Sequence, residues 1–261
     1  MVKVLVLTGF GINCERETAY AFQKAGAEPL LIHLNDLIEK PDYLESSKIF
    51  AIPGGFSFGD DVASGRILAN RIRYRLEKPL QKFINDGKLI IGICNGFQVM
   101  VKMGILPLFD GEFKQLVTLT HNNSGRFEDR WVHLKINPHS PCVWTKDINQ
   151  LDLPVRHGEG KFLTKDPLVL EKLHKQNQIV LQYMKPDGTL ANNEYPSNPN
   201  GSINDIAGIC NPNGRIFGLM PHPEGFWDSK LHPLWNRIKL EGSGDGLKIF
   251  ENGIAYAKKN L

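Results

Sequence analysis

The sequence predicts an α/β fold, a flavodoxin-like open and mostly parallel sheet with helices on both faces and an added antiparallel strand region. Three observations predict it. Short apolar runs, Val4 to Leu7, Pro29 to His33, Lys48 to Ile52 and Leu89 to Ile91, are separated by helical patterns, the alternation of a parallel sheet. The runs from Val4 to Leu7, Lys48 to Ile52 and Leu89 to Ile91 end in glycine-bearing turns, where strands hand over to the chain beyond the sheet. Further on, Trp131 to Ile136 alternates between polar and apolar positions, as a half-buried antiparallel strand does.

The elements follow in order. Val4 to Leu7 ends at Thr8-Gly9-Phe10-Gly11, and a helical pattern from Glu15 to Lys24 closes at Gly26. The turn lacks the third glycine of a dinucleotide loop, so it is read as a strand-to-helix turn. Lys48 to Ile52 runs into Pro53-Gly54-Gly55-Phe56-Ser57-Phe58-Gly59-Asp60-Asp61, where a glycine pair lets backbone N–H groups face a ligand closely. Asp60 and Asp61 fit a helix N-cap better than a metal site. Ile67 to Asn85 is a long helix carrying Arg71, Arg73 and Arg75 after Arg66, either a solvated face or a docking face for an acidic partner.

The region from Gly111 to Pro141 is strand-like and holds the polar turn from Thr120 to Phe127. Ile179 to Met184 is a further strand, and Asn192 to Asn204 reads as a surface loop. Ile206 to Cys210 and Arg215 to Leu219 form a hairpin around Asn211-Pro212-Asn213-Gly214. Asp245 to Lys258 is a closing amphipathic helix. With no repeat and no long linker, residues 1–261 are expected to form one domain.

Composition narrows the function. A formal net charge of +3 does not suggest nucleic-acid binding. No apolar run approaches the roughly 18 residues of a membrane span. Four cysteines, with neither CxxC pairing nor zinc spacing, read as thiols in a reducing compartment, so a cytoplasmic protein is expected, with no metal and no cofactor of its own.

The chemistry concentrates at two places. Gly92-Ile93-Cys94-Asn95-Gly96 lies between an apolar strand and the helical Phe97-Gln98-Val99-Met100-Val101. A nucleophile at such an elbow needs small residues two before and two after it, and the helix N-terminus favours a thiolate. This elbow sets Cys94 apart from Cys14, Cys142 and Cys210. Met220-Pro221-His222-Pro223-Glu224 is the second place. Residues before proline avoid the helical region, so an extended stretch is expected, with His222 and Glu224 on one face as base and orienter for Cys94.

These motifs resemble those of the class I (triad) glutamine amidotransferases. Within that class the resemblance is to the glutaminase subunits of phosphoribosylformylglycinamidine synthases. It rests on Pro53 to Asp60, Gly92 to Gln98, Asn122 to Phe127, His157-Gly158-Glu159-Gly160, Asn198-Pro199-Asn200-Gly201-Ser202 and Met220 to Glu224, which span most of the chain in family order. The resemblance implies glutamine hydrolysis with Cys94 as nucleophile and His222 and Glu224 completing a triad. It implies an oxyanion hole from the N–H groups of Gly55 and Asn95, and substrate contacts from Gln98, Asn122 and Ser124. It also implies a synthetase subunit as partner, a small third subunit, and ATP and magnesium at the synthetase. Two departures bear on docking: Gly225 stands where the family often has arginine, and the segment from Phe226 to Gly244 is longer than in compact members. A stand-alone cysteine hydrolase, a glutaminase of another amidotransferase, and a catalytically silent subunit are the competing readings.

Overall fold

A computed structural model describes residues 1–261. Its strands are β1 (Lys3–Thr8), β2 (Glu28–His33), β3 (Ile49–Ile52), β4 (Leu89–Ile93), β5 (Val117–Thr120), β6 (Glu128–Ile136), β7 (Gln150–His157), β8 (Lys161–Thr164), β9 (Ile179–Met184), β10 (Ile206–Cys210) and β11 (Ile216–Leu219). Its helices are α1 (Glu15–Lys24), α2 (Leu34–Glu39), α3 (Asp42–Ser46), α4 (Arg66–Asn85), α5 (Asn95–Met103), α6 (Pro167–Lys175) and α7 (Asp245–Asn260).

Nine strands form one sheet in the order β2-β1-β3-β4-β11-β10-β9-β6-β7, and β5 and β8 pair separately. The first five are mutually parallel and the rest join antiparallel, the mixed architecture the sequence predicts. Chain direction places the helices. The crossover through α1 steps from β1 outward to β2, whereas that through α4 steps from β3 the opposite way to β4. Right-handed crossovers running in opposite senses put α1 and α4 on opposite faces. The central strands therefore have both faces covered, which is why β3 and β4 are buried along their whole length. On the α1 face, Phe22 meets Phe250 of α7 edge-to-face at 4.8 Å. The antiparallel β6 instead alternates, with Val132, Leu134 and Ile136 buried and Lys135 exposed.

Two expectations are corrected. The loop from Asn192 to Asn204 is not a surface loop throughout: Asn198, Asn200 and Ser202 are buried. Burial is tolerated because the polar atoms are paired. Asn198 Oδ1 accepts from Gly201 N–H at 2.8 Å, and Ser202 Oγ donates to Asn200 Oδ1 at 2.7 Å and accepts from Phe162 N–H at 2.9 Å. Neither Asp60 nor Asp61 caps α4; Gly65, in the left-handed region at φ 73°, precedes its first residue.

The arginines of α4 largely serve the chain itself. Arg71 stacks over the rings of Phe10 and Phe58, at 5.2 and 5.6 Å from their centroids, and Arg73 donates to the Phe113 carbonyl at 3.2 Å. The segment after Gly225 folds back on β6, where Phe226 and His232 pack edge-on against Trp131 at 4.9 and 4.4 Å.

Candidate active site

The site lies where three adjacent parallel strands end on one edge: β3 leads to Gly54 and Gly55, β4 to Cys94, and β11 to His222. Backbone bonds clamp these tips together. Cys94 N–H donates to the Leu219 carbonyl at 2.8 Å, and His222 N–H to the Pro154 carbonyl of β7 at 2.8 Å.

The elbow is as tight as its glycines imply. Cys94 takes φ 50° and ψ −105°, a conformation non-glycine residues rarely adopt. A Cβ on Gly92 would stand 2.2 Å from Met100 Sδ, and one on Gly96 would stand 1.8 Å from the Ile52 carbonyl oxygen. A side chain at Gly96 would force β3 away from α5, and one at Gly92 would force β4 away from the start of α5, whose Gly96 carbonyl oxygen stands 2.7 Å from the same Cβ. Cys94 is buried, and its thiol donates to the Arg156 carbonyl at 3.6 Å.

His222 and Glu224 are buried together, with Nδ1 2.6 Å from Glu224 Oε1. The route to this pairing differs from the expected extended stretch. His222 is extended, but Pro223–Gly225 forms a single 3-10 turn that swings the carboxylate back to the ring. With Nδ1 bonded to the carboxylate, Nε2 has no hydrogen-bond partner and is free for proton transfer. Burial alone pulls the imidazole pKa down. The Glu224 carboxylate and Cys94 outweigh it and hold His222 well above its ordinary value. Arg156 Nη2 reaches the same carboxylate oxygen at 3.9 Å.

The other predicted residues fall in two groups. Gly55 pairs with Ile12 across a bridge whose bonds are donated by Asn13 and Phe56, so its own N–H takes no part in that bridge. Asn95 is the first residue of α5, where an N–H has no intrahelical acceptor. Its side chain ties the two loops: Oδ1 accepts from Ser57 N–H at 3.2 Å, and Nδ2 donates to Gln98 Oε1 at 2.8 Å and Asp60 Oδ1 at 3.3 Å. Gln98 then donates from Nε2 to the Glu159 carbonyl at 2.6 Å, so both ends of its amide are engaged. Asn122 is a buried hub: Nδ2 donates to the Arg126 and His157 carbonyls, and Oδ1 accepts from Gly160 N–H at 2.9 Å. Ser124 lies apart from these, exposed, donating to Glu128 Oε1 at 2.7 Å.

Sequence reasoning missed three groups here. Lys102, near the end of the elbow helix α5 itself, is buried, donates to the Ser64 carbonyl, and has its pKa lowered by burial. A lone lysine in the apolar run from Phe97 to Met103 was the available signal. His157 is buried with Nδ1 3.2 Å from Asn122 Oδ1, and burial pulls its pKa down to about 3. Cys14 is the third, and it corrects the view that Cys94 stands apart from the other thiols. The residue just before α1 places its sulfur beside His222 and Glu224, and the ligand atoms of the three lie within 4.8 Å of one another. Cys142 and Cys210 are buried free thiols elsewhere.

Comparison with known proteins identifies the family. A family model described as a CobB/CobQ-like glutamine amidotransferase domain matches residues 1–257. A protein of Dehalococcoides mccartyi named phosphoribosylformylglycinamidine synthase subunit PurQ is 50% identical over 260 residues, covering 99% of this chain and 98% of that protein. One of Methanococcus maripaludis with the same name is 47% identical over 268 residues, covering 98% of each. Among solved structures, PurLQS from Thermotoga maritima contains a chain that superposes with a TM-score of 0.72 at 30% identity, covering 98% of each chain. No helix is long and apolar enough to cross a membrane. The chain belongs to the CobB/CobQ-like glutamine amidotransferase family.

Proposed function

We propose that this chain is the glutaminase subunit of a phosphoribosylformylglycinamidine synthase, hydrolysing glutamine and passing the ammonia to a synthetase subunit. The observation that carries the reading is a strained cysteine at a strand-to-helix elbow on the same sheet edge as a buried His–Glu pair with a free Nε2. A silent subunit would have no use for that strain.

The chemistry follows from the geometry. Cys94, as thiolate, attacks the glutamine carboxamide carbon, and His222 holds the proton. The N–H groups of Gly55 and Asn95 receive the oxyanion, each such donor being worth about 3 to 4 kcal/mol in comparable sites. The tetrahedral adduct collapses as His222 delivers its proton from Nε2 to the departing nitrogen, leaving a thioester on Cys94 and free ammonia. Water then attacks the thioester with His222 as base, and glutamate leaves. Glu224 fixes the tautomer throughout, since its bond to Nδ1 directs Nε2 at the reacting atoms. Gln98 and Asn122 act by holding the Gly158–Gly160 turn in place, and Ser124, bonded to Glu128, braces the neighbouring polar turn.

The relatives' names and the likeness to PurLQS support a synthetase partner, which would bind ATP and magnesium, along with a small third subunit in the cytoplasm. The test is glutamate release from the chain alone and during titration with the synthetase and its ligands. A rise of roughly a hundredfold or more is expected if docking aligns one oxyanion donor. A flat response would favour the stand-alone hydrolase.

A further inference from the structure

Cys14 has no step in the glutaminase reaction, yet its sulfur lies beside the proposed catalytic base, with a ligand atom of each of Cys14, His222 and Glu224 within 4.8 Å of the others. The space between them exists because residue 54 has no side chain. A Cβ there would stand 3.3 Å from Cys14 Sγ, 2.8 Å from His222 Cε1 and 3.5 Å from His222 Nδ1. Glu224 has a spare oxygen: Oε1 bonds Nδ1, whereas Oε2 is buried with no partner. All three residues are more than nine-tenths buried.

We propose that Cys14, His222 Nδ1 and Glu224 form an inhibitory zinc site built into the back of the catalytic pair. The donor set is one thiolate, one imidazole and one carboxylate, the set zinc prefers, with a fourth position for water. Zinc needs its ligands at about 2.0 to 2.3 Å, so donors within 4.8 Å of each other close around it with side-chain shifts of about 1 Å or less. Magnesium and calcium are excluded by the sulfur and nitrogen donors. Binding displaces two protons into solvent, the Cys14 thiol proton now donated to Asn13 Oδ1 at 3.3 Å and the Nδ1 proton of His222 now shared with Glu224, and leaves the remaining imidazole proton on Nε2. Two anionic ligands and a neutral imidazole then balance the ion's charge. The Arg156 guanidinium, 3.9 Å from Glu224 Oε1, opposes the ion and limits its affinity.

Zinc here takes Nδ1 from Glu224. The base loses its orienting bond and activity stops, reversibly on chelation. The site does not depend on the identity of the substrate, because its readout is metal binding.

The experiment titrates the full-length chain with chelator-buffered zinc, and separately with cobalt(II), whose thiolate charge-transfer band in the near ultraviolet reports a sulfur ligand. One equivalent should bind the wild type, with the cobalt band present. Cys14→Ser should weaken zinc at least tenfold and abolish the band. Glu224→Gln should weaken zinc at least tenfold. Cys94→Ser should keep both within threefold. Band loss in Cys94→Ser with retention in Cys14→Ser would overturn the proposal, placing the metal between nucleophile and base. So would the failure of the wild type to bind an equivalent at micromolar free zinc. If Cys14→Ser fails to fold, the cobalt band of Cys94→Ser decides the matter alone: its persistence supports the site and its loss refutes it.

Discussion

Replacing Cys94 by glycine should leave the protein more stable than replacing it by alanine, against the usual order. Cys94 has φ 50° and ψ −105°, outside even the left-handed helical region, so a residue with a Cβ carries about 2 to 3 kcal/mol of backbone strain there. Both variants lose the sulfur, so that loss cancels in the comparison. At an unstrained buried position, alanine to glycine costs about 0.5 to 1 kcal/mol in chain entropy and about 0.8 kcal/mol for the buried methyl, roughly 1.5 kcal/mol in all. Relief of the strain exceeds this, which leaves Cys94→Gly ahead of Cys94→Ala by about 0.5 to 1.5 kcal/mol. At about 2 to 4 °C per kcal/mol for chains near this size, its melting temperature should be about 1 to 6 °C higher. Urea and thermal unfolding of the two variants measure the gap, with Ala69→Gly in α4 as the control that shows the ordinary loss. A Cys94→Gly protein less stable than Cys94→Ala by about 1.5 kcal/mol would refute the claim that the elbow stores strain. Both variants should release no glutamate.

Other outcomes follow from the same geometry. His222→Ala should abolish glutaminase activity nearly as completely as Cys94→Ser, with Glu224→Ala milder because it orients the base; steady-state kinetics giving the reverse order would overturn the roles. Gly96→Ala should cost about 3 kcal/mol or more, since its Cβ meets the Ile52 carbonyl at 1.8 Å, whereas Gly111→Ala, which meets no atom within 4 Å, should show only the strain of its positive φ. His157 stays neutral down to about 3 when folded but takes a proton near 6.5 when unfolded, so its contribution is present above about pH 6.5 and is lost as the pH falls towards 3. His222 behaves oppositely: its contribution is complete below about pH 6.5 and is lost as the pH rises through its elevated value. Urea midpoints between pH 6.5 and 4 should fall less steeply in His157→Gln than in the wild type.

The parts of the molecule that follow a short-range rule could be read from the sequence. Strand and helix periods placed α1 and β9 at their observed limits, and the spacing of Gly92 and Gly96 announced the elbow because the clash they avoid is local. What remained hidden depends on contacts between distant segments. Cys14 meets His222 only because the turn after β1 packs under Gly54, and no pattern around Cys14 encodes that. The Asn198–Ser202 loop has a surface composition, yet it is buried because its amides satisfy one another and the start of β8. The 3-10 turn at Pro223 defeated the proline rule, which constrains His222 and leaves the residues after it free to turn.

The place of β11 bears on how the chain is made. It inserts parallel to β4, with Ile216 opposite Ile90 and Leu219 opposite Ile93, though it is among the last strands to leave the ribosome. Until then β4, the apolar Leu89–Ile93, is the outer edge of a four-stranded nascent sheet with a full row of unpaired backbone groups. At about 5–20 residues per second, that edge waits on the order of ten seconds for its neighbour. Nascent chains crowded on one message would offer each other the same sticky ladder, so this interval is where chaperone shielding matters most. The Cys94 thiol meanwhile emerges well before His222 and Glu224, so the proposed chemistry has to wait until the last third of the chain has been synthesised.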